Sequence, residues 1–327
     1  MRAQCDGYTE LRSNHQLCKP GLNRLKLMQK RATLRRGNVK AGIGTILLAT
    51  DFMQSSRLAL DYALFLAHRL SAHLVIINAF ELGPQASNVE IVRQVPSRTR
   101  KEAAARLQAF ATGSSRAGVS TDSALVEGPV PDAILDAVSN FRADLLVMGT
   151  QGVHRGLGHL LIGSNTEALM LRSPCPTLTI GPHVLAGVNL DGRFKKVVYI
   201  SNLRPASAAA APFALQLSQM LASGIEIYQV VKTKELREDP AQLQGIAEDY
   251  CSRLRSFAPD VREEWCDPEF QMKQIITPED VLQKSLDPSV LMVVGAHSAP
   301  LLERHLHTSY PYQLLANAMC PIVTVRS

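Results

Sequence analysis

The sequence predicts an α/β protein of two tandem domains, each with a five-stranded, mostly parallel sheet. From Thr45 onward, short apolar runs rich in Val, Ile and Leu alternate with longer segments of helical period, the pattern of β-α units in a parallel sheet. Two stretches recur in order: Leu146-Val147-Met148-Gly149 as Met292-Val293-Val294-Gly295, and Cys175-Pro176-Thr177-Leu178-Thr179-Ile180 as Cys320-Pro321-Ile322-Val323-Thr324-Val325. Repeats in one order signal a duplicated unit. The 327 residues suffice for two domains at roughly 100–200 residues each.

The first unit reads as strands at 45–50, 73–80, 121–127, 144–149 and 177–181, each short and β-branched or leucine-rich. Four helices fall between them. The first, about 55–70, has Ser55 and Ser56 as N-cap candidates and places Leu58, Tyr62, Phe65, Leu66 and Arg69 on neighbouring turns, mostly toward the core. The second, about 97–117, is rich in Ala and Arg and expected to be more exposed. A third follows Pro131 at about 132–140, with proline near its first turn. The fourth starts after Gly163 and ends near Ser173, because Pro174 and Pro176 cannot continue it. The opening strand recurs at 196–203, and residues 184–192, with two glycines and several turn formers, read as a linker. The expected boundaries are a tail at 1–42, domains at 43–183 and 193–327, and the linker between them.

The total charge of +6 belongs to the tail. Residues 1–40 carry ten Lys and Arg against Asp6 and Glu10, and subtracting that +8 leaves the rest of the chain at −2. A mildly acidic body argues against a nucleic-acid-binding surface, and the tail reads as a solvated basic extension. No apolar run reaches the eighteen residues of a membrane span, and residues 1–40 lack a secretory signal, which points to the cytoplasm. The six cysteines have no C-x-x-C spacing, so neither a zinc site nor a disulfide framework is indicated. Cys175 and Cys320 read as packing residues. His305 and His307, at i, i+2, read as surface histidines, and Trp265 as core or interface.

The chemistry concentrates at Gly149-Thr150-Gln151-Gly152 and at Gly163-Ser164-Asn165, where a strand, a glycine loop and a helix N-terminus follow one another. Glycines admit close approach of an anion to backbone N–H groups, and the helix N-terminus adds unpaired donors and a favourable dipole. The loop follows a late strand and lacks a following Gly-Lys-Ser/Thr, so it is neither a dinucleotide fingerprint nor a P-loop. Asp51 ends the first strand. In a sheet of order 3-2-1-4-5, strands 1 and 4 flank the topological switch point, so Asp51 and Gly149 share one crevice. A carboxylate facing an anion loop suits a nucleoside triphosphate, with His154 and Arg155 near its phosphate tail.

This pattern resembles the universal stress protein family, whose ATP-binding members carry an aspartate after the first strand and the motif Gly-x2-Gly-x9-Gly-Ser/Thr. The likeness covers 43–183 well and 193–327 loosely. It implies a Rossmann-like (adenine nucleotide α-hydrolase-like) fold and ATP, with Mg²⁺ held through phosphates and water. Ala49, Asp51 and Ala79 would line the base and ribose side. Met148, Gly149, Gly152, Gly163, Ser164 and Asn165 would line the phosphate side. One departure stands out: ten residues, Val153 to Ile162, separate the second and third glycines instead of nine.

In the second repeat Thr308 and Ser309 stand opposite Gly163 and Ser164, Ser298 opposite Gly152, and Asn202 opposite Asp51. A Cβ at Thr308 obstructs phosphate, so this copy reads as a structural partner. The resemblance further implies pairing of the two last strands, at 177–181 and 322–326, as an intramolecular pseudo-dimer or across a homodimer. A protein partner would read nucleotide occupancy. With only Asp51 or His154 as a base, hydrolysis is expected to be slow at most. The rival reading is a nucleotide-free interaction scaffold, and an adenylating enzyme is a third.

Overall fold

The computed structural model describes residues 42–81, 90–112, 118–150, 163–184, 194–201, 210–230, 240–257, 275–296, 314–315 and 317–326. The first half runs β1 (Thr45–Ala49), α1 (Gln54–Leu70), β2 (His73–Phe80), α2 (Glu90–Thr112), β3 (Thr121–Glu127), α3 (Val130–Phe141), β4 (Leu145–Gly149), α4 (Ser164–Arg172) and β5 (Thr177–Ile180). The second runs β6 (Lys196–Ser201), α5 (Ala211–Leu221), β7 (Gly224–Val230), α6 (Pro240–Phe257), β8 (Ile275–Ile276), α7 (Pro278–Ser285), β9 (Val290–Ala296) and β10 (Ile322–Arg326).

β1 is buried along its whole length because both faces of the sheet are covered. Ile46 and Leu48 join Tyr62 and Leu66 of α1 on one face, while Leu47 and Ala49 join Ile134 and Val138 of α3 on the other. Its parallel partners are β2 and β4. β4 starts at Leu145, one residue later than the sequence suggests, because Asp144 turns its carboxylate onto the N–H groups of Gly44 and Thr45, both at 2.9 Å. α1 ends at Ser71, in the left-handed region with φ 53°, whose N–H caps the last carbonyls. α2 starts at Glu90 rather than Ser97, so Pro96 lies inside it. A proline there forfeits a helical hydrogen bond, so propensity alone puts the start later.

The two expected five-stranded sheets are joined through their last strands, the pairing that the resemblance implies. The described strands form one ten-stranded sheet, ordered β3-β2-β1-β4-β5-β10-β9-β6-β7-β8. β5 and β10 are fully buried except for Arg326, and each alone would leave an unpaired apolar edge. They pair antiparallel, with Leu178 opposite Val323. The seam is reciprocal: Thr179 Oγ1 donates to Ile322 O at 3.0 Å and Thr324 Oγ1 to Thr177 O at 3.3 Å. One apolar cluster also spans both halves, and Phe194 lies 6.0 Å from Tyr62 and 5.6 Å from Phe65, ring to ring.

Burial pushes the Cys175 thiol up and the Cys320 thiol up to about 12, so both stay protonated and serve packing. No described helix is long and apolar enough to cross a membrane.

In the second half Lys196 Nζ meets Glu226 Oε1 at 2.6 Å, Tyr228 OH donates to Glu226 Oε2 at 2.8 Å, and Lys284 Nζ donates to Tyr228 OH at 2.8 Å. Burial alone would raise the Glu226 carboxyl, but the bonds from Lys196 and Tyr228 outweigh it and hold the carboxyl below its usual value. A depressed carboxyl stabilises the fold above its unfolded pKa, roughly 4.3, and loses that contribution as pH falls through the lower folded value. Denaturant titrations from pH 7 to pH 3 should therefore show a steeper loss of stability in the wild type than in Glu226→Gln. Equal slopes would mean that the network contributes nothing.

Candidate functional site

The turn after β1 is built around Asp51. Its Oδ1 accepts from Met53 N at 2.9 Å, an Asx turn, and from Ser56 Oγ at 2.6 Å, while Asp51 N donates to Ser56 Oγ at 3.2 Å. Ser55 and Ser56 are therefore not helix caps, as their position suggests. The N-cap is Met53, without a side-chain bond, and Ser56 clamps Asp51. Both carboxylate bonds fall on Oδ1, and Oδ2 has no partner among the described residues. Phe52, next in the turn, sits at φ 67°, a strained conformation for a side chain of this size, and packs edge-on against Phe110 at 5.8 Å. The buried Asn78 donates from Nδ2 to Thr50 O at 2.7 Å, fixing the turn to β2.

Opposite stands the end of β4. Thr150 is buried, and its N–H and hydroxyl both donate to Ile180 O, at 3.0 and 3.2 Å. Its own carbonyl accepts from Gly163 N at 3.1 Å, and Thr166 Oγ1 reaches Gly149 O at 3.4 Å. These bonds set the first turn of α4 across the ends of β4 and β5. The N–H groups of Ser164, Asn165 and Thr166 have no acceptor within the helix, so the rim carries donors and the positive end of the helix dipole.

Between these walls lies a cavity of about 280 Å³. Eight of the nine candidate residues line it: Ala49 and Asp51 from the β1 end, Ala79 from β2, Met148 and Gly149 from β4, and Gly163, Ser164 and Asn165 at α4. Gly152 lies outside the described residues, as do His154, Arg155, the rest of the glycine loop, and Asn202, Trp265, Ser298, His305, His307, Thr308 and Ser309. Val130, Ile134 and Leu169 add an apolar wall that the motif does not reveal, because it comes from α3 and the middle of α4.

One glycine has a structural reason that sequence reasoning missed. A Cβ at Gly149 would lie 2.7 Å from both Cβ and Oγ of Ser55 and 2.8 Å from its carbonyl carbon, so α1 can pack here only against glycine. Gly163 has an ordinary φ of −62°, and its N–H is already bonded to Thr150. Among the described residues no group of three or more His, Cys, Asp and Glu could hold a metal ion directly.

The comparisons with known proteins agree with this architecture. Residues 42–181 match the model of the universal stress protein family. A universal stress protein encoded 3′ of a QAH/OAS sulfhydrylase in Thermus aquaticus is 33% identical over 139 residues, 42% of this chain and 97% of that protein. One from Methanocaldococcus jannaschii is 26% identical over 140 residues, 41% of this chain and 80% of that protein. Among solved structures, a universal stress protein from Archaeoglobus fulgidus superposes with a TM-score of 0.57 at 14% identity, covering 86% of this chain and 96% of that chain, a likeness of fold. The α/β, Rossmann-like first half and the degree of identity to the Thermus protein place this chain in the universal stress protein family.

Proposed function

We propose that this chain is a cytoplasmic, nucleotide-responsive regulatory protein that binds ATP once, in residues 43–183, and that residues 193–327 are a degenerate second copy of the same domain forming an intramolecular pseudo-dimer with the first. The observation that carries the reading is the convergence of the ends of β1, β2 and β4 with α3 and α4 on one cavity with an acceptor at one wall and donors at the other. Asp51 Oδ2 suits a ribose hydroxyl, and the apolar wall of Ala79, Val130, Ile134 and Leu169 suits a base. The amides and hydroxyl at Ser164 and Asn165 suit phosphate. Mg²⁺ would arrive on the phosphates, since the described side chains offer no cluster for it. Asp51 and His154 are the candidate bases for an attacking water, so turnover is expected to be slow at most, and occupancy, sensed by a protein partner, is the output.

Calorimetric titration with MgATP tests this. One site is expected in the wild type, with affinity lowered roughly ten- to a hundredfold in Asp51→Asn, the loss of about 1.5–3 kcal/mol typical of a hydrogen bond to a charged group. Asparagine keeps the Oδ1 acceptor on which the Asx turn depends, so an effect on binding separates from an effect on the turn. The rival scaffold reading is favoured by one observation: Gly149 and Gly163 have packing and bonding roles that need no ligand. Well-folded wild type that binds no MgATP would establish that rival.

A further inference from the structure

In the described part of the first half, α4 both borders the cavity and packs on a strand of the second half. The first turn of α4 forms the cavity rim and is bonded to the β4 end through Gly163 N to Thr150 O and Thr166 Oγ1 to Gly149 O. Its last turn meets β10: Arg326 Nη1 donates to Arg172 O at 3.1 Å, satisfying one of the final carbonyls that a helix cannot satisfy itself. Between the two ends, Met170 packs against the core of the first half and also against that of the second. Nine residues make about two and a half turns, too short to bend without breaking its own bonds. Thr150, bonded to Gly163 of the rim, is in turn tied to Ile180 of β5, the strand that pairs with β10.

We infer that α4 is a strut coupling occupancy of the cavity to the second half of the chain, its first turn sensing the ligand and its last turn transmitting to β10 through Arg326 and Met170. This rests on the nucleotide reading for the identity of the ligand, but the strut itself is a property of the free protein. Movement of the rim by an anion on the amides of Ser164 and Asn165 displaces the far end of the same rigid body, and by linkage the contacts at that far end set the affinity at the rim. It gives the second copy a purpose although its own glycine motif is altered: it is the receiver.

The test uses the full chain and Arg326→Gln, an exposed position outside the cavity, with Asp132→Asn as a control that removes the 2.6 Å ion pair on Arg172 without touching the second half. In ligand-free protein, amide hydrogen exchange at Gly163 and Glu167, whose N–H groups are bonded at the rim, is expected to be about 2- to 30-fold faster in Arg326→Gln, the range of 0.5–2 kcal/mol found for coupling mutations. Asp132→Asn should leave the amides of β10 unchanged. Saturating MgATP should slow exchange at 322–326 in the wild type, and its affinity for Arg326→Gln should fall by a similar factor. Loosening in Arg326→Gln that stays within the last turn of α4, with Gly163 and Glu167 at wild-type rates, overturns the strut. If wild type binds no MgATP the nucleotide reading falls, and the exchange rates of the ligand-free proteins still decide the coupling.

Discussion

Gly149→Val should lower the stability of the whole molecule by about 3 kcal/mol or more, the upper range for overpacking a closed core. The midpoint of thermal unfolding should fall by roughly 6–10 °C for a chain of this size. The added Cβ meets Ser55 at 2.7 Å, and the nearest atoms include backbone, so no rotamer change relieves it. The first turn of α1 must move away from β4. Since Ser56, one residue on, holds Asp51 at 2.6 Å, the same displacement opens the site. Gly163→Ala is the contrasting change: its φ of −62° accepts any L residue, so backbone strain contributes nothing there. Differential scanning calorimetry of the two variants separates the roles. A midpoint for Gly149→Val within a degree of wild type would refute the packing account of that glycine.

The second large effect is expected at the seam. Leu178 is fully buried, opposite Val323 on β10 and Val147 on β4, so Leu178→Asp places a carboxylate without a partner in an apolar cluster. An uncompensated buried charge costs about 3–5 kcal/mol. The damage falls on the only strand pair that joins the two halves of the described sheet. Guanidinium unfolding should shift to a lower midpoint and split into two transitions as the halves separate. Gel filtration should show association through the freed edges of β5 and β10. A single unshifted transition would mean that the cluster around Tyr62, Phe65 and Phe194 suffices to join the halves.

Most of the strands were legible because their information is local. His73–Phe80 and Thr121–Glu127 are found within the bounds read from β-branched and apolar runs alone, and α4 starts right after Gly163 and stops ahead of two prolines. The meeting of Asp51 with Gly149 followed from a general rule of parallel sheets, that the carboxyl ends of strands beside the switch point share a crevice. Other features are invisible in a linear reading. Ser56 looks like a cap and is a clamp, because the atom it bonds is set by how sharply the chain turns at Phe52. Gly149 looks like an anion-loop glycine and is also a packing contact, because Ser55 approaches it only after α1 has docked.

By itself the sequence determined the β-α alternation, the two recurring segments and the residues able to form an acceptor and a donor rim, since propensity, periodicity and side-chain chemistry are properties of a residue and its neighbours. The tertiary structure alone decided the register in which β5 meets β10, that Phe194 joins the core of the other half, and that the far end of α4 is held by Arg326. Those depend on pairs separated by more than a hundred residues, whose meeting is set by the packing of the whole and not by any local preference.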